Sequence, residues 1–106
     1  MLVTTTTQAE GIKSYLGMVV GEAVMGTHFF KDFLASFRDF MGGRVKTYEK
    51  ELAEGRRIAM EEMIAEAEQL GADAIIGVDI DYEHIGGGEK TLLLVSMTGT
   101  AVKVKH

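Results

Sequence analysis

The amino-acid sequence predicts one α+β domain, residues 1–106, in which a long helix packs on a small antiparallel sheet. Three observations predict it. Apolar or small residues recur at helical spacing from Tyr48 to Leu70. Directly after Gly71 the apolar period changes to two. β-Branched or alternating segments stand toward both ends of the chain. The expected order is strand, strand, short helix, long helix, strand, strand, with the last two strands forming a hairpin.

Met1 to Thr7 (MLVTTTT) is short and β-branched and reads as a strand at a sheet edge. The sequence offers no evident partner for the hydroxyls of Thr4, Thr5 and Thr6, and a threonine-rich edge is a template for pairing with a second copy. Gln8 to Lys13 reads as a polar turn around Gly11. Tyr15 to Met25 (YLGMVVGEAVM) is the next strand. Its Gly17, Val19, Gly21 and Ala23 share a face, where the glycines leave a groove for close approach of a helix. Leu16, Met18, Val20, Glu22 and Val24 take the other face, with Glu22 a lone carboxylate among apolar neighbours.

Thr27 is placed to cap a short helix. Its Phe29, Phe30, Phe33, Leu34, Phe37, Phe40 and Met41 form a denser aromatic face than one small core absorbs. That surplus, with both charge signs on the polar face, points to a subunit interface rather than a membrane surface.

The long helix carries Tyr48, Leu52, Gly55, Ala59, Met63, Ala67 and Leu70 on one stripe, widened by Met60 and Ile64. At ~1.5 Å per residue it spans roughly 35 Å, so its ends reach past a small core. Glu49 and Glu51 suit the positive end of the dipole in an expected first turn, and Gly71 suits a left-handed cap. Gly55 costs about 1 kcal/mol relative to Ala, which close approach of a neighbouring element accounts for. In the strand that follows, Ile76, Val78, Ile80 and Tyr82 are expected beneath the helix, with Ile75, Gly77, Asp79, Asp81 and Glu83 opposite. A turn around Gly86-Gly87-Gly88 leads to the last strand, Thr91 to Lys105, with Gly99 as its expected kink.

Composition narrows the function classes. The chain has no Cys, which excludes disulfides, thiolate metal sites and thiol catalysis. A formal net charge of −5 argues against a nucleic-acid partner, which requires a concentrated basic patch. No apolar run approaches the ~20 residues of a membrane span, so the expected location is the cytoplasm.

The strongest candidate for chemistry is the ladder Asp79, Asp81, Glu83 with the adjacent His84, which would offer a divalent metal ion oxygen ligands. Alternate residues of one strand do not converge on a cation, so a second strand or subunit has to complete the site. A solvated strand face is the plainer account of the same residues. The three histidines show no zinc-ligand spacing, and Met18, Met25, Met60 and Met63 read as packing residues. The segment Gly21 to Thr27 lacks the lysine of a phosphate loop. At most, the helix start at Thr27, with His28 nearby, offers backbone N–H groups to an anion. No nucleophile elbow, Ser-His-Asp order or dinucleotide fingerprint is present.

The segments VTTTT, YLGMVVGEAVMG, RDFMGGR with YEKEL, LGADAIIGVDIDYE and SMTGTAV together resemble the YbjQ family, in the right order over most of the chain. These are small bacterial and archaeal proteins that carry a heavy-metal-binding label and no assigned biochemical role. The resemblance implies a small β-α-β-β, dodecin-like core with an extra N-terminal strand, and a ring-shaped homopentamer knitted together by the extra strands. Within the quoted motifs it draws attention to Glu22, Arg38, Asp39, Arg44, Tyr48 and Glu49, as an inter-subunit polar network or a ligand site. The absence of Cys departs from what a soft heavy metal selects. Three readings stand: a non-enzymatic oligomer binding a metal or small ligand, an assembly module with no ligand, and an enzyme using Glu22 or the Asp79–Asp81 pair as acid and base.

Overall fold

The structure, a computed structural model, describes residues 1–25, 43–87 and 90–105. It consists of β1 (Leu2–Val3), β2 (Ile12–Met25), α1 (Gly43–Gln69), β3 (Ala74–Gly87) and β4 (Lys90–Val104). The phenylalanine-rich helix expected after Thr27, with Phe29, Phe33, Phe37, Phe40, Arg38 and Asp39, lies outside the described residues.

The strands form one sheet in the order β1-β3-β4-β2. β3 and β4 make the expected hairpin, and β2 pairs antiparallel with the far side of β4. β2 and β3 therefore run parallel, separated by β4, with α1 as the connection that carries the chain across. The sheet is mixed rather than antiparallel because β1 lies parallel to β3. The architecture is α+β, one helix on one face of a four-stranded sheet.

α1 begins at Gly43, five residues before the expected start, so Glu49 and Glu51 fall beyond its first turn, which carries no acidic residue. Its other end is as expected. Gly71 takes φ 79°, its N–H donates to the Glu68 carbonyl (3.0 Å), and the Ala72 N–H donates to the Ala67 carbonyl (3.1 Å). Those two bonds are the Schellman pattern. The reversal turns Leu70 outward, so the last residue of the expected stripe is exposed.

The stripe otherwise meets the sheet as its spacing predicts. Ala59, Met63 and Ala67 are fully buried against Val19 and Ala23 of β2 and Val95, Met97 and Ala101 of β4. Helix and strand nearly touch at Gly21, where a Cβ would stand 1.8 Å from the Ala59 carbonyl oxygen and 2.7 Å from the Met63 nitrogen. Only glycine fits there. Gly55 likewise faces Val95, at 3.0 Å from the position of its absent Cβ.

β3 departs from the expected alternation. Ile75 packs into the core beneath α1, while Ile76 joins Ala74 and Val102 in a second cluster on the opposite face, covered by Ala9, Ile12 and Val104. Val78 returns to the helix side. The cause is a β-bulge: Ile76 pairs with Thr100 and Asp79 with Thr98, so Gly77 and Val78 together oppose the single residue Gly99. Gly77, at φ 60°, supplies the left-handed residue that such a bulge requires. The irregularity expected at Gly99 thus lies across from it, in β3.

The N-terminal segment is also corrected. β1 has two residues, and Thr4 to Thr7 bend over the bulge instead of continuing as a strand. The Thr4 N–H donates to the Ile75 carbonyl (2.9 Å), the Val78 N–H to the Thr4 carbonyl (3.1 Å) and the Gly77 N–H to the Thr6 carbonyl (2.7 Å). Two of the hydroxyls that lacked partners in the sequence, those of Thr4 and Thr6, find them locally. Thr4 and Thr6 Oγ1 are 3.1 Å apart, and Thr6 Oγ1 donates to the Gln8 carbonyl at 3.0 Å. β2 starts at Ile12, three residues before the expected Tyr15.

Candidate functional site

The bulge decides where the carboxylates stand. Past Gly77 the alternation resumes with Val78 under the helix, so Asp79, Asp81 and Glu83 occupy the face away from α1. The pairing register builds rows across that face: Asp79–Thr98–Val20, Asp81–Ser96–Glu22 and Glu83–Leu94–Val24. Asp79, Asp81, Glu83 and Glu22 are all exposed. Glu22 is two strands from Asp81, a backbone separation of about 10 Å. A depression of about 350 Å³ lies beside the row, lined by Asp81, Tyr82, Glu83, Leu94 and Ser96.

Asp79 and Asp81 interact. A hydrogen bond to Asp79, and secondly its negative charge, raise the Asp81 carboxyl above the usual carboxylate range. Two carboxylates this close present a spot where a cation is favourable. Among the described residues, however, no three of His, Asp and Glu converge into a group that would hold a metal ion. The side chains of His84, Arg44 and Tyr48 lie outside the described residues, and Glu49 is exposed on α1. Of the six polar residues singled out by the resemblance, the structure therefore places Glu22 and Glu49, on different elements.

Two other polar arrangements are structural. Arg57 bridges Glu54 and Glu61 on the outer side of α1, with Nε 3.0 Å from Glu54 and Nη1 2.7 Å from Glu61. The Arg57 hydrogen bond lowers the Glu54 carboxyl, and both partners raise the guanidinium. Arg56 Nη1 donates to the Tyr82 hydroxyl (3.2 Å), tying the helix to β3. Of the methionines, Met63 is core and Met25 and Met60 pack against it, but Met18 is 72% exposed on the face away from α1.

Sequence reasoning missed one cluster. Lys13, Asp73, Lys103, Val104 and Lys105 line a pocket of about 400 Å³ at the other end of the sheet. The lysines at 103 and 105 were visible as a pair. That they meet Lys13 depends on the β2–β4 register, which no local pattern reports.

Comparison with known proteins agrees with this fold. The family model YbjQ_1, described as "Putative heavy-metal-binding", matches residues 1–105. A UPF0145 protein of Anoxybacillus flavithermus is 50% identical over 108 residues, covering 100% of both chains. A UPF0145 protein of Geobacillus thermodenitrificans is 50% identical over 107 residues, covering 99% of this chain and 100% of its own. A crystal structure from Pediococcus pentosaceus, a protein of unknown function in the DUF74 family, superposes with a TM-score of 0.72 at 16% identity, covering 99% of this chain and 98% of that one. That last likeness carries the fold alone.

Proposed function

The chain belongs to the YbjQ_1 family, and from that premise we propose that it is a non-enzymatic homo-oligomer that takes up a divalent cation or small ligand where copies meet. The observation that carries this reading is the unfinished state of β2. It is a 14-residue strand at the sheet edge, and Met18, Tyr15 and Val24 stand 72%, 68% and 62% exposed along it. Among the described residues nothing pairs with its outer side. A long apolar edge is a template for another chain, and a second copy is always at hand. A head-to-tail contact of this kind closes into a ring when the rotation permits, and the family resemblance implies five copies. Glu22 and Glu49 would then belong to the polar rim of the contact.

The donor set does not fit a soft heavy metal. With no Cys in the chain, the ligands that such ions select are absent. Asp79 and Asp81 offer carboxylate oxygens, the chemistry of a hard cation, and they are two where six or more are wanted. Water and a second copy have to supply the remainder. No helix among the described residues is long and apolar enough to cross a membrane.

Native mass spectrometry of untagged, chelator-free protein tests both halves. The expected result is a ring carrying stoichiometric cation after exposure to a panel of divalent ions, with uptake abolished and the ring intact in Asp79→Asn/Asp81→Asn. Unchanged uptake in that variant would remove the site from this pair. A ring that stays bare throughout leaves the second reading, an assembly module with no ligand.

A further inference from the structure

The pocket at the other end of the sheet is built by three segments of the chain. β2 contributes Lys13, where the register with β4 slips between Ile12 and Ser14. β4 contributes Lys103 and Val104, Lys105 follows directly after it, and the α1–β3 connection contributes Asp73. Backbone bonds hold the segments together. The Asp73 N–H donates to the Val102 carbonyl (2.9 Å), the Val104 N–H donates to Asp73 Oδ2 (3.1 Å), and the Lys105 N–H donates to the Gly11 carbonyl (2.8 Å). By strand rise the pocket lies about 25 Å along β4 from the Asp81–Ser96 row.

The charge here is opposite to that of the chain. Against a formal net charge of −5, three lysines and one aspartate line a hollow of about 400 Å³, within the size range of small-molecule sites. Packing at the helix end accounts for one of the lysines only. Lys103 Cε comes within 3.8 Å of where a Cβ on Gly71 would stand, beside the electronegative C-terminus of α1. Lys13 and Lys105 have no such reason to face the same hollow, and both are exposed.

We propose that this pocket binds a small multivalent oxyanion, a phosphate- or carboxylate-bearing metabolite, through Lys13, Lys103 and Lys105. The Asp73 wall limits the net positive charge, which favours a compact anion over a polyanion. The site takes no residue from the acidic rows, so it stands or falls separately from the cation site proposed there, and anion binding is read without reference to assembly.

Isothermal titration calorimetry at low ionic strength, with inorganic phosphate and separately with citrate, tests it. The wild type should give saturable binding with at least one probe, weakened by added salt. Lys13→Gln/Lys105→Gln should weaken it by about a hundredfold, since each of the two lost charge-assisted hydrogen bonds is worth about tenfold, while Lys13→Arg/Lys105→Arg retains it. Binding of phosphate alone identifies a phosphate-bearing ligand, and of citrate alone a polycarboxylate. No saturable heat with either probe, or equal affinity in the glutamine variant, overturns the proposal. A second readout needs no variant. The probe that binds should slow acetylation of Lys13, Lys103 and Lys105 relative to Lys50 on α1, read by peptide mass spectrometry, and equal labelling rates would also overturn it.

Discussion

The two faces of β2 are made of neighbouring residues and have opposite fates. Val19, Gly21 and Ala23 are sealed beneath α1, while Met18, Glu22 and Val24 between them stand in the open. The sealed face is small: glycine and alanine let the helix backbone approach, and Met63 fills what remains. The open face mixes long apolar side chains with a carboxylate, and continues across Ser96 and Thr98 to Asp81 and Asp79. Small complementary residues mark a contact completed within the chain. Large apolar residues beside charges mark a face that the described residues leave open.

Substitutions along this strand should separate the two faces by size of effect. Gly21→Val should do the most damage, because its Cβ alone would overlap the Ala59 carbonyl oxygen. The expected loss exceeds about 4 kcal/mol, and circular dichroism should show little cooperative melting. A normal melting curve would mean that α1 does not cross β2 there. Next comes a matched methionine pair. Met63→Ala should cost about 2–5 kcal/mol by leaving a cavity, whereas Met18→Ala should change the stability of the protomer by no more than about 0.5 kcal/mol. Met18→Ala should instead weaken self-association, measured by analytical ultracentrifugation. Equal costs in the two variants would erase the distinction between the faces.

The smallest effect belongs to the carboxylates. Asp81 holds its proton more tightly in the folded state than in the unfolded chain. Its contribution to stability is therefore present at low pH and lost as the pH rises through the raised value. At neutral pH the two charges repel, so Asp81→Asn should raise the melting temperature slightly. That advantage should shrink as the pH falls through the raised value and Asp81 regains its proton. A neutral-pH melting temperature that does not rise would show that the pair carries no net repulsion.

The sealed face was legible in the sequence because each of its signals is local. The stripe from Leu52 to Ala67, the cap at Gly71 and the glycine groove at Gly21 all follow from spacing within one element. The facing of β3 was not legible, since residues 74–78 are apolar or glycine on both sides of the strand. Period-two counting had no means of noticing that the phase slips by one at Gly77. It still assigned Asp79, Asp81 and Glu83 to the face away from the helix, because the assumed phase happens to match the strand beyond the bulge. What stands beside those carboxylates, and that Lys13 meets Lys103 and Lys105, depends on register between distant strands. The threonines misled for the opposite reason: their β-branched composition suits a strand, but their hydroxyls turn the chain after Val3.

The placement of β4 between β2 and β3 has a consequence in time. Ile12 pairs with Val104, and Met25 with Leu93, so β2 is synthesised well before its partner. The β3–β4 hairpin closes locally, but β2 has to await the synthesis of β4, and such long-range closures are the slow ones. Until then its apolar side chains and both of its edges are open to every other nascent copy. A strand that waits this long gains from being rich in glycine and interrupted by Glu22, because both weaken premature pairing.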